Sequence, residues 1–120
     1  MKQEQFETMF KQSKDYYSEA GKLDLQKMQD FRRTIEAFRV FDPEIQEQTI
    51  LAILNVALNQ NIPDGCSVKD LSNDLGLSQA SGSRNAMAWM KVNRNKEAGP
   101  DLIQAQECSV NRARKRLSLT

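Results

Sequence analysis

Apolar residues recur at helical spacing in separate runs along this chain, and turn chemistry separates the runs. Leu25, Met28, Phe31, Ile35 and Phe38 stand three or four residues apart, which gathers them into one stripe and predicts a helix. Asp42-Pro43-Glu44 is a start signal, with Asp as cap, Pro at the first helical position and an acid in the first turn. The helix it opens carries Ile45, Thr49, Ile50, Ile53, Leu54, Ala57 and Leu58 and is expected to be the central core helix. Asn61-Ile62-Pro63-Asp64-Gly65 ends it in a loop. Val68, Leu71 and Leu75 then mark one face of a further helix. Gly76 is expected to end that helix with a positive φ, which only glycine adopts cheaply, and Leu77 to return to the core. Ser78 is a good cap for a second helix running towards Trp89.

Phe6, Met9 and Phe10, followed by Tyr16, Tyr17 and a break at Ala20-Gly21, form a loosely specified helical pattern, expected to be partly extended or frayed. Val92 to Asp101 is a polar loop of about ten residues, longer than a compact domain usually tolerates without a use. Leu102 to Glu107 and Lys115 to Thr120 read as the two strands of a hairpin, with Ser109 to Arg114 as its turn. Alternation points Leu117 and Leu119 inward, and Arg116 and Ser118 outward. The fold class is therefore mainly α with a small β-hairpin. The order helix, turn, helix, hairpin is that of a winged helix-turn-helix over residues 42–120, preceded by additional N-terminal helices over 1–41.

Composition removes several classes of function. The 120 residues, 39% hydrophobic and 28% charged, suit a soluble globular chain with a modest core. No run of about eighteen apolar residues and no secretory signal is present, which predicts a cytoplasmic protein with no membrane partner. Cys66 and Cys108 are too few and too isolated for a disulfide framework, and without histidine no metal site is expected. Cys66 is a candidate oxidation sensor only if its thiolate is stabilised; an ordinary reduced thiol is the expectation. The chain offers no phosphate-cradling glycine loop and no nucleophile motif, so neither an enzyme nor a cofactor is expected. Asp70 and Asp74, one helical turn apart, fit a solvated face better than a catalytic pair.

Charge changes the picture more than composition does. Residues 1–60 hold eight basic against ten acidic residues, whereas residues 61–120 hold nine against six. Ser78 to Lys96 contains four basic residues and no acid, and Asn111 to Thr120 again contains four and none. Two acid-free basic blocks bracketing a helix-turn-helix mark a phosphate footprint, so double-stranded DNA is the expected partner. Ser78, Gln79, Ser81, Ser83, Arg84 and Asn85 occupy the first two turns of the second helix, the part that reaches base edges in such docking. Arg84 suits a bidentate contact to guanine, and Gln79 or Asn85 one to adenine. Lys91, Arg94 and Lys96 are assigned to phosphates, and Arg112 and Arg114 to a hairpin tip in or beside a narrow minor groove.

Three segments resemble the MarR-type winged-helix transcription regulators: Phe41 to Leu54, Val68 to Arg84 with its Leu-Gly-Leu-Ser turn, and Asn111 to Thr120, which looks like the family's wing. The likeness spans about residues 38–120. It implies a homodimer on a pseudo-palindromic operator, with the recognition helix in the major groove and the wing over the adjacent minor groove, in a bacterial or phage-infected cell. Asn111 and Ala113 stand where the family usually has Asp and Arg, which makes Arg112 the first choice for the minor groove, ahead of Arg114. The long Val92 to Asp101 link is similar to phage-borne members. The chain ends at Thr120, where relatives continue into dimerising helices, so the helices before Asp42 are expected to carry dimerisation.

The expected function is a sequence-specific transcriptional repressor. A winged helix used as a protein-interaction module, working through the acidic residues 1–60, and a DNA replication or partition factor are the alternatives. Tyr16-Tyr17 leaves a small-molecule effector open without supporting one, and packing is the preferred role for the pair.

Overall fold

The computed structural model describes residues 2–11, 13–62, 65–92, 95–107 and 115–120, and separates the chain into two compact units, Met1–Pro43 and Glu44–Thr120. Among the described residues the protein is mainly helical, with one two-stranded antiparallel sheet.

The first unit contains α1 (Gln3–Lys11), a 3-10 turn (Lys14–Tyr16) and α2 (Leu25–Phe38). Asp24 caps α2 by accepting from the Lys27 N–H at 3.1 Å. A chain of aromatic rings runs Phe6, Phe10, Tyr16, Phe31, with successive centroids 4.9, 5.0 and 6.0 Å apart. Tyr17 donates its hydroxyl proton to the Glu7 carbonyl and forms an isolated bridge with Leu23. Neither helix holds a buried residue, and Leu25 and Phe31 are 72% and 49% exposed. The stripe predicted for α2 is thus present, with Met28, Ile35 and Phe38 half-buried and Leu25 and Phe31 largely exposed.

The second unit holds the core. α3 (Glu47–Leu58), α4 (Val68–Leu75) and α5 (Gln79–Met87) pack on one another, and α3 and α4 also meet β2 (Lys115–Leu119), which pairs with β1 (Ile103–Glu107). The expected start at Asp42-Pro43 is corrected to Glu47. Gln46 enters in extended conformation, at φ −85° and ψ 151°, so no helical turn runs from Pro43 into Glu47, and the Pro43 carbonyl accepts from Arg39 Nε at 3.0 Å. The inner face of α3 is Ile50, Ala52, Ile53 and Val56, while Leu54 and Leu58 prove exposed. This helix is apolar nearly all round, so periodicity alone does not single out the face that packs.

Between α4 and α5 the local signals act as written. Ser67 and Asp70 form a reciprocal capping box, and Gly76 takes the left-handed conformation at φ 67°. The Leu77 N–H then closes on the Ser72 carbonyl at 2.8 Å and the Gly76 N–H on that of Asn73 at 3.3 Å, the Schellman pattern. Ser78 caps α5 by accepting from the Ser81 N–H.

Gly82 in α5 is a close-approach residue. A Cβ at that position would lie 2.0 Å from Ser72 Oγ, 3.1 Å from its Cβ and 3.4 Å from its Cα. Ser72 is 3% exposed and its hydroxyl is bonded to the Val68 carbonyl, so it has little room to give. Gly82→Ala should therefore destabilise the unit by about 1–3 kcal/mol despite alanine's better helix propensity. In a double-mutant cycle read by urea unfolding, Ser72→Ala should recover part of that loss; a stabilised Gly82→Ala single variant would refute the close-packing account.

The sheet pairs Ile103 with Leu119 through to Glu107 with Lys115. Leu117 faces inward, but Ser118, expected outside, is 5% exposed. The outer edge of β2 is occupied by the α3–α4 connection: Cys66 O accepts from Leu117 N at 2.6 Å and Gln60 Oε1 from Leu119 N at 3.2 Å. Arg116, also expected outside, is half-buried and donates to the Gln60 carbonyl at 2.7 Å. Cys66 is a core residue, 1% exposed. Of the stretch expected as a plain loop, Val92 bridges Ala98, and just beyond it Leu102 and Ile103 donate to the Trp89 carbonyl.

Candidate nucleic-acid interface

α5 is docked by one face and open on the other. Gly82 and Ala86 are buried, whereas Gln79, Ala80 and Arg84 are exposed. Trp89, just beyond the helix, anchors its far end: it is 2% exposed and its indole N–H donates to the Thr49 carbonyl at 2.7 Å.

The structure divides the residues proposed from the pattern into two groups. Ser78, Ser81 and Asn85 do local structural work. Ser78 is the cap; Asn85 is half-buried, donates to the Ser81 carbonyl at 2.9 Å and accepts from Thr49 Oγ1 at 2.8 Å. A side-chain amide so engaged ties α5 to α3, so Asn85 has a structural role beside the base contact expected of it. Gln79 and Arg84 are exposed, and Ser83 is half-buried beside Arg84. Arg84 stands between two shallow notches. One is polar, lined by Gln46, Gln48, Ser81, Arg84 and Asn85; the other is lined by Ala80, Ser83, Arg84 and Met87.

Ala80 and Met87 were missed because they are apolar, although their spacing from Ser83 and Arg84 places them on the same side of the helix. Gln46, which caps α3, and Gln48 in its first turn had no local signal linking them to α5.

Lys91 and Lys96 are exposed, on the excursion closed by the Val92–Ala98 bridge and a Gly99 N–H to Lys91 carbonyl bond of 2.9 Å. Arg94, Asn111, Arg112 and Arg114 lie outside the described residues; the last three belong to the segment joining β1 to β2. Of the acids flanking the acid-free stretch, Asp70 is held in its capping box and Asp74 accepts from Asn55 at 3.5 Å, while Glu97 follows Lys96 directly and is exposed. Among the described residues no His, Cys, Asp and Glu group is arranged to hold a metal, and no helix is long and apolar enough to cross a membrane. Comparison with protein-family models, with curated proteins and with solved structures returns no match.

Proposed function

We propose that this chain is a sequence-specific DNA-binding transcriptional regulator of the MarR-type winged helix-turn-helix class, acting as a repressor by covering a promoter. In this reading α4 and α5 are the helix-turn-helix, α5 enters the major groove, and the β1–β2 hairpin is the wing whose tip carries Asn111, Arg112 and Arg114 beside the minor groove. The observation that carries it is the open face of α5: Gln79 and Arg84 exposed with Ser83 half-buried beside them, a buried Gly82/Ala86 face behind, and no acid from Ser78 to Lys96. Dimerisation on a pseudo-palindromic site is part of the proposal, supported by the stripe of α2 that leaves Leu25 and Phe31 in solvent.

A labelled-duplex shift assay tests the reading. The chain should bind DNA from upstream of its own gene, two chains per duplex, with affinity that falls as salt rises. Lys91→Ala should lower the salt slope by about one without changing sequence preference. No shift at low salt on any duplex would overturn the proposal.

A further inference from the structure

We propose that the notch between Ala80 and Met87 reads the C5-methyl group of a thymine neighbouring the base pair contacted by Arg84. The inference rests on the DNA-binding reading above and specifies half of its recognition surface. Ala80, Ser83, Arg84 and Met87 follow one another at spacings of three, one and three residues, so they share one side of α5 and together line this depression. Ala80 presents an exposed methyl group. Met87 is half-buried, and the Ser83 hydroxyl meets its sulfur at 3.8 Å, which holds the otherwise flexible thioether over the notch.

Of the four base pairs' major-groove edges, only those containing thymine offer an apolar group; guanine and adenine present acceptors and donors, and cytosine an amine. A notch walled by two apolar side chains therefore matches thymine and leaves the other bases' polar edges facing methyl groups. The Arg84 fork, at the rim of the same notch, suits the O6 and N7 of a guanine. The favoured step thus sets a guanine and a thymine side by side, one read by charge and the other by shape.

The experiment uses the full chain. A site is selected from randomised duplex DNA, each thymine in it is replaced singly by uracil, which lacks only the C5-methyl group, and binding is measured. One thymine per half-site should lose about four-fold on replacement, the effect of one buried methyl group, with the others unchanged. Met87→Gln, similar in length and helix propensity, should bind the thymine and uracil versions equally while keeping the wild-type melting temperature. If every uracil substitution is neutral on a bound site, the inference is wrong and the DNA-binding reading stands. If the uracil loss persists in both Met87→Gln and Ala80→Ser, the methyl group is read elsewhere and the assignment to this notch is wrong. If no site is enriched, both readings fall. The uracil series on the unaltered chain decides the matter even if a variant does not fold.

Discussion

Trp89→Ala is expected to unfold the second unit. Trp89 is the largest fully buried side chain, and truncating a buried tryptophan to alanine costs about 3–5 kcal/mol. The Thr49 carbonyl would also lose its indole donor, which adds to the loss if no water replaces it. Unfolding free energies of small domains are about 5–15 kcal/mol, so most of the margin disappears. Circular dichroism should show the melting temperature of the second unit falling by about 15–30 °C, or no cooperative transition at all. Trp89→Phe keeps most of the apolar area but not the N–H, and should fall between the variant and the parent. A Trp89→Ala protein that melts like the parent would show that α3, α5 and the start of β1 are not held together here.

Arg84→Ala combined with Arg112→Ala is expected to do the opposite: leave the fold and remove the binding. Arg84 is exposed, and exposed substitutions usually stay within about 0.5 kcal/mol of parental stability. Losing a bidentate base contact costs about 1–3 kcal/mol and relaxes the preference at one base pair. Removing the wing arginine as well should bring affinity down to the non-specific range, about 10⁻⁴ to 10⁻⁶ M at physiological salt. The comparison is made by titration of the selected site at fixed salt, with melting curves alongside. If the doubly substituted protein keeps its regulatory activity, the winged-helix unit works through a protein partner, and the DNA reading is wrong.

Those two outcomes follow from different levels of the structure. Ser67, Gly76 and Ser78 behave as local chemistry predicts because a cap or a left-handed glycine acts on backbone groups within a few residues. Asp42-Pro43-Glu44 is a signal of the same kind, yet α3 starts at Glu47, because the backbone at Gln46 is extended and interrupts the turn that Pro43 would begin. Alternation misplaced Ser118 and Arg116 for a related reason. It assumes a strand with one wet face, whereas β2 is closed along its outer edge by Gln60 and Cys66.

The candidate site divides in the same way. That α5 is a short polar helix without acid, capped by Ser78, is written in consecutive residues. Which of its residues are tied into the fold is not, because Asn85 is bonded to Thr49, thirty-six positions away, and Gly82 is approached by Ser72. Helix ends and turns are settled between neighbours in the chain. Which face of a helix packs, and which side chains are left open to a partner, depends on contacts between distant segments that form only once α3, α4 and α5 have come together.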